Sequence, residues 1–279
     1  MAKKNNSRHT DHHRAVIKLL ESFSGRHQMW RVWEDFIASV ACAISASVDS
    51  ARRTAREQEY QAISKRYTAE EMSHFAEGLA HVVFALEERH QDFLGSLFMA
   101  LDLGNKHRGQ FFTPYEVSRL MAQINFGGDV QEQVAQNGFI TVLDPCIGGG
   151  AMVIAMAEII LGHDFPTHRT IHVTGVDIDI TAVQMAFIQL SLLNVPAVIL
   201  HGNSLGPSPY AGWNTDSAWR TPAHCVWGWE ARLHEREVRR RASTAADAQD
   251  AAQTPVPPAD RTAPAAASQI NQAITAEVQ

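Results

Sequence analysis

The stretch from Phe139 to Glu158 constrains this chain most. FITVL is a short apolar run rich in β-branched residues. Asp144-Pro145-Cys146-Ile147-Gly148-Gly149-Gly150 is an acidic turn that collapses into glycines, and AMVIAMAE resumes with apolar residues. This order predicts a buried strand, a tight turn and a helix. Glycines tolerate positive φ and let backbone N–H groups approach a ligand, while the carboxylate of Asp144 ends the strand where a ligand's polar end can sit. A unit of this kind suits a nucleotide-type ligand.

The residues that follow extend the pattern. A second strand is expected over Thr170 to Val176, closing on Gly175-Val176-Asp177-Ile178-Asp179, and the helix TAVQMAFIQLSLLN comes next with Asp179 or Thr181 as its cap. A third strand, Ala197 to Leu200, ends at His201-Gly202-Asn203-Ser204-Leu205. The β-α-β-α-β alternation predicts an open α/β sheet of parallel strands joined by right-handed crossovers.

Asp177 stands at the end of the second strand, where an open α/β fold sets an acid against ribose hydroxyls, with Ile178 beside it. A dinucleotide is disfavoured, because Val153 occupies the third position of G-x-G-x-x-G, and a P-loop is excluded for want of G-K-[ST]. An acid before the glycines, without a pyrophosphate cradle, suits a zwitterionic ligand with an ammonium group. S-adenosylmethionine is such a ligand.

Upstream, residues 1–14 are polar and without periodicity and read as a disordered tail, in which His9, His12 and His13 are polar spacing rather than metal ligands. Residues 15–108 read as an α-helical region. WRVWEDFIASVACAISASV aligns Trp30, Trp33, Ile37, Val40 and Ile44 on one stripe. Thr68-Ala69-Glu70-Glu71 is a capping box for a helix whose buried face holds Phe75, Leu79, Val82, Val83 and Leu86, with His74 and His81 as partly buried helix histidines. A short helix, DFLGSLFMALDL, follows. In GQFFTPYE, Thr113 is a natural N-cap, Pro114 fits the first helical position and Glu116 completes a box. That account leaves the aromatics Phe111 and Phe112 unexplained unless one ring flanks a flat base.

The formal charge of −6 argues against a generally basic nucleic-acid coat, and the basic segments at the N-terminus and at RLHEREVRRR read as a solvated tail and a solvated helix face. Three cysteines without C-x-x-C spacing suggest neither a disulfide framework nor a zinc site. No segment reads as a signal peptide or a membrane span, so the expected compartment is the cytoplasm.

The set GQFFTP, VLDPCIGGGAMVIAMAE, GVDIDITAVQMAFIQL and GNSL, in this order and spacing, resembles the N6-adenine DNA methyltransferase family, and most of all the modification subunit of type I restriction–modification systems. The likeness runs from about Gln91 to Leu205. It implies an S-adenosylmethionine-dependent, Rossmann-like sheet over 109–240 and DNA as substrate. It further implies that Phe112, Thr113 and Pro114 hold the methionine part of the cofactor, with Asp144, Pro145, Gly148 and Gly150 wrapping the same region. Asp177 would bind the ribose. Asn203 stands where the family commonly has Asp against the adenine amino group, and its carbonyl oxygen can still accept that hydrogen bond.

The family's chemistry also needs a later [Asp/Asn/Ser]-Pro-Pro-[Tyr/Phe] motif to hold a flipped base. No segment of this sequence reads so; Pro207-Ser208-Pro209-Tyr210 has the wrong order and follows Asn203 too closely, so no catalytic residue is assigned. The sheet is therefore expected to be partial, with the free side of its first strand covered by Trp213, Trp219, Trp227 and Trp229, and HCVWGW adding a short strand. The rival use of these tryptophans is a surface for a protein partner that carries recognition or the absent half. Residues 241–279, rich in Ala, Gln, Thr and Pro, read as a disordered tail. Two functions stay open: a DNA adenine methyltransferase working with a partner, and a catalytically degenerate cofactor-binding regulator or scaffold.

Overall fold

The computed structural model describes residues 2–101, 103, 112–126, 130–206 and 217–253, with side chains between residues 12 and 244. The chain divides into two units, Met1–Ala231 and Arg232–Gln279.

Five helices open the first unit: α1 (Ala2–Glu21), α2 (Met29–Val48), α3 (Arg53–Ser64), α4 (Ala69–Glu88) and α5 (Phe93–Ala100). Their apolar stripes meet one another, α2 along α3 and α1 along α4. Trp33, Phe36 and Ile37 of α2 and Phe75 and Val82 of α4 are buried as the spacing requires. Thr68 caps α4 in the expected box: its Oγ1 accepts from the Glu71 N–H at 3.2 Å, and Glu71 Oε2 accepts from the Thr68 N–H at 2.8 Å. Trp30 departs from the stripe. It is 47% exposed, with its indole N–H given to Gln28 and the Arg31 guanidinium over its ring.

The tail expected over 1–14 is instead part of α1. Its histidines find ring partners that a polar count does not reveal. His12 Nδ1 lies 2.9 Å from His81 Nδ1 and its ring tilts against Phe84, while His13 meets Phe93 edge-on.

Beyond the helices come α6 (Tyr115–Phe126), α7 (Val130–Asn137), β1 (Ile140–Asp144), α8 (Ala151–Gly162), the single turn α9 (Thr167–Thr170), β2 (Ile171–Asp177), α10 (Ile180–Leu192), β3 (Ala197–His201), β4 (Ala218–Arg220), α11 (Pro222–Val226) and α12 (Trp229–Gln253). The segment between α6 and β1 thus holds a helix of its own. The four strands form one mixed sheet in the order β1-β2-β3-β4. The first three run parallel, with Val142 beside Val173 and Gly175 beside Ile199, and β4 runs antiparallel with Trp219 beside Ile199. Both crossovers step the same way across the sheet, so right-handed connections set α8 and α10 on one face. Helix α2 packs on α10, and residues on both sides of the boundary expected near residue 108 share one apolar core.

Trp219 does not cover β1 as the sequence suggests. Trp219 lies in β4 on the opposite edge of the sheet, between Phe187 and the Arg56 guanidinium, which sits 3.4 Å from its ring centroid. Trp229 meets Phe139 edge-on and donates its indole N–H to the His168 carbonyl, while Trp227 is 40% exposed beside His168 and Arg169. Trp213 falls outside the described residues. HCVWGW holds the end of α11, the turn after it and the first residue of α12 rather than a strand. Among the described residues no strand pairs with the outer edge of β1.

The second unit contains the rest of α12, which carries helix to Gln253 and so overrides part of the tail expected over 241–279; residues 254–279 lie outside the described residues. Pairs at i,i+3 and i,i+4 spacing support this polar helix, Arg239 with Glu235 and both Arg240 and Arg241 with Glu237. Among the described residues, no helix is long and apolar enough to cross a membrane.

Candidate functional site

The carboxyl ends of β1, β2 and β3 open on one cavity of about 710 Å³. Crevices of this kind are where open α/β sheets take their ligands. The turn after β1 forms its floor. Asp144 Oδ1 accepts from the Cys146 N–H at 3.0 Å, bending the chain at once, and Gly148 and Gly150 take φ of 54° and 93°, values that side chains rarely adopt. The Ile147 N–H reaches the Val176 carbonyl, and its side chain lies over Gly175, where a Cβ would have no room.

Asp177 ties the turn to β2. Its Oδ2 accepts from the Gly148 N–H and its Oδ1 from the Asp179 N–H, both at 2.9 Å. Asp179 in turn caps α10 by accepting from the Thr181 N–H at 2.8 Å. Burial pushes the Asp144 carboxyl above the ordinary carboxylate range; the Cys146 N–H opposes the rise and the nearby charge of Asp177 adds to it.

Of the residues singled out in the sequence, Asp144, Pro145, Gly148 and Asp177 line this cavity, and so do Phe112, Thr113, Ile178 and Asn203. Pro114 and Gly150 do not. Gly150 lies behind the turn, 3.5 Å from Ala186 when a Cβ is built on it, and precedes the first residue of α8. The Pro114 carbonyl accepts from the Val117 and Ser118 N–H groups. Pro114 therefore occupies the cap position of α6, one residue later than expected for Thr113, and Glu116 pairs with Arg119 rather than completing a box. The Phe112 ring lies against Gly148, where an added Cβ would meet it at 3.1 Å. Asn203 bends its own loop, its Oδ1 accepting from the Leu205 N–H at 3.0 Å, which leaves that oxygen a second lone pair.

Charge is distributed one-sidedly. Two carboxylates face the cavity, and among the described lining residues there is no Lys, Arg or His. Among these described residues an anionic ligand would meet no cationic side chain to neutralise it; a ligand with a positive centre is electrostatically matched.

Sequence reasoning missed the residues behind the turn. Gln189 in α10 and Asp92, the cap of α5, are both buried; the Gln189 amide donates to Asp92 and also to the Gly149 carbonyl. Their signals were present: a lone amide inside the apolar run MAFIQLSLL, and an Asp three residues before Gly95 at cap spacing.

Residues 97–251, more than half of the chain, match the sequence model of the N-6 DNA methylase family. The chain belongs to that family. Nothing among the curated proteins matches this N-6 DNA methylase sequence. A solved structure of similar arrangement, from Listeria monocytogenes, is described as a class I S-adenosylmethionine-dependent methyltransferase. It is 14% identical with a TM-score of 0.41, and the match covers 72% of this chain and 55% of that one. The N-6 DNA methylase chain thus spans about half the length of that protein.

Proposed function

We propose that the cavity binds S-adenosylmethionine and that the protein serves adenine-N6 methylation of DNA in a restriction–modification system, as a modification-type subunit that acts with a partner. The observation that carries the cofactor reading is the cavity at the ends of three parallel strands, acidic and without Lys, Arg or His among its described lining residues. Asp177 would accept from ribose hydroxyls while keeping its two backbone bonds, since each carboxylate oxygen has a second lone pair. Asn203 retains an acceptor for an adenine amino group, Phe112 and Ile178 offer apolar surface to a flat base, and Asp144 suits the ammonium. When bound, this cofactor supplies an activated methyl group.

Two observations support the need for a partner. The sequence contains no [Asp/Asn/Ser]-Pro-Pro-[Tyr/Phe] element to hold a flipped adenine. In addition, β1 has a free edge among the described residues, and α6 beside the cavity exposes Val117, Leu120, Met121 and Ile124 at i, i+3, i+4 and i+7 spacing. These features fit a partner that brings a strand to β1 and an apolar helix to α6. The same missing element favours a second reading, a cofactor-binding regulator or scaffold without catalysis.

Transfer of a labelled methyl group from S-adenosylmethionine to unmethylated DNA, run beside calorimetry of cofactor binding, separates the two. Incorporation by the protein alone would overturn both the partner requirement and the regulator reading. Absence of cofactor binding would overturn the proposal as a whole.

A further inference from the structure

Gln189 is fully buried in α10, and every polar atom of its amide is used. Oε1 accepts from the Leu94 N–H at 3.0 Å; Nε2 donates to Asp92 Oδ1 and to the Gly149 carbonyl, each at 2.8 Å. Asp92 is 5% exposed and also accepts from the Gly95 N–H at 2.9 Å as the cap of α5. The peptide between Gly149 and Gly150 is therefore held at both ends, its carbonyl by Gln189 and its N–H by the Ile147 carbonyl at 2.9 Å. Space is equally committed: a Cβ on Gly149 would meet Asp92 Oδ1 at 3.2 Å. The same short helix reaches the other wall of the cavity, where Phe98 meets Phe112 edge-on with ring centroids 5.1 Å apart.

From this geometry we infer that Gln189 and Asp92 are positioning residues, through which α5 of the N-terminal helical region sets the orientation of the Gly148–Gly150 turn and hence its grip on the cofactor. This rests on the reading of the cavity given above. A turn of three consecutive glycines is entropically costly to hold in one conformation, since glycine loses more backbone freedom on folding than any other residue. Positive φ is available to these glycines in many combinations; a buried amide that bonds the middle carbonyl selects one. The arrangement also accounts for an otherwise costly pair of buried polar side chains, each of which would be destabilising without its partners. Burial raises the Asp92 carboxyl above its ordinary range, with the bonds from Gln189 and Gly95 opposing, as expected of a group isolated from water.

Gln189→Met, close in volume and unable to bond, is the first test, with Gly149→Ala as a second variant that crowds Asp92 from the loop side. Hydrogen–deuterium exchange of the segment from Cys146 to Met152 is read in the cofactor-free proteins, and S-adenosylmethionine affinity by calorimetry on the folded fraction. The expected result is faster exchange in that segment and roughly ten-fold weaker binding, the order of one or two lost buried hydrogen bonds. Asp92→Asn, which keeps the acceptor for Gly95 and Gln189, should bind within about two-fold of the parent where Asp92→Ala does not. Unchanged exchange in both variants, or faster exchange with unchanged affinity, overturns the inference. A merely structural role would lower the melting temperature and leave the affinity of the folded protein alone. Should the parent protein take up no cofactor, the reading of the cavity fails, while the setting of the turn still stands or falls on exchange.

Discussion

Asp177 Oδ2 accepts the N–H of Gly148 at 2.9 Å, so the acid that ends β2 is bonded to the glycine turn that follows β1. One side chain thereby faces the cavity and holds its floor. Asp177→Ala removes a bond to Gly148, a bond to Asp179 and the acceptor proposed for a ribose. Hydrogen bonds to a charged group are worth about 1.5–3 kcal/mol each, so loss of one to the cofactor should lower affinity in calorimetry by about 10- to 150-fold. Asp177→Asn, which keeps one carbonyl oxygen, should lose less. Equal affinity in the parent and in Asp177→Ala would refute the assignment.

Affinity for a positively charged ligand should rise with pH in the range where Asp144 titrates. Its carboxyl is held above the ordinary value of about 3.9 by burial, and by the charge of Asp177. A cation favours the ionised form, so binding strengthens as pH climbs from about 4 through that raised value and releases protons on the way. The stability of the free protein responds in the opposite sense. A raised folded-state value means that the stability contributed by Asp144 is full below its unfolded value and is lost as pH rises through the folded one. Calorimetry at a series of pH values should show the slope in the parent and a flat profile in Asp144→Asn.

A second pH effect sits on the other side of β2. His172 Nε2 and His224 Nδ1 lie 2.9 Å apart, both buried. Burial, and then the charge of Arg220, hold His224 down at about 4, with Asp49 opposing. The unfolded chain protonates near 6.5, so between about pH 6.5 and 4 it binds more protons than the folded protein. The contribution is complete above 6.5 and is lost as pH falls, amounting to about 3 kcal/mol. Urea midpoints should therefore drop between pH 7 and pH 5, and less in His224→Gln.

What was legible in the sequence was what short-range chemistry decides. The strand, turn and helix around Asp144 are encoded in consecutive residues, the Thr68 box spans four, and Asp179 caps the helix that it precedes. The acid at Asp177 could be placed because a strand's end is visible locally. Contacts between distant segments were not legible. Gln189 reaches Asp92 and Leu94 from nearly a hundred positions away, and no periodicity signals that a buried amide is there to bond a glycine carbonyl. The destination of Trp219 failed for the same reason: composition shows that large rings need cover, but only the antiparallel pairing of β4 with β3 sends it to the edge opposite β1. His12 and His13 looked like tail because the rings that receive them belong to α4 and α5.

The joint between β4 and the helical region should be sensitive to loss of one acid. Asp49 Oδ2 receives Arg52 Nη1 at 3.0 Å and Arg220 Nη1 at 3.5 Å, and Asp49 and Arg52 are both buried. Removing the acid of a buried ion pair takes compensation away from the guanidinium groups, at a cost of up to about 3–5 kcal/mol. Asp49→Ala should fall in this range by urea denaturation, provided that it folds. Glu235→Ala, which breaks an exposed pair on α12, should change stability by less than about 0.5 kcal/mol. A small effect at Asp49 would mean that the two guanidinium groups are satisfied elsewhere.

The exposed stripe of α6 bears on whether the protein works alone. Leu120 and Ile124 are 62% and 75% exposed, so they contribute little to the stability of the chain itself. Large apolar side chains at helical spacing form a patch that water solvates poorly and a second surface would cover. Replacing both residues with Lys should leave the melting temperature within a few degrees of the parent, because surface substitutions away from packed groups usually fall within about 0.5 kcal/mol. In light scattering, the parent should show concentration-dependent association and the double variant should not. The two outcomes that matter are separable. A melting temperature that falls sharply in the variant would place these residues in the protein's own core, and a parent that stays monomeric at high concentration would speak against an obligate partner at this face.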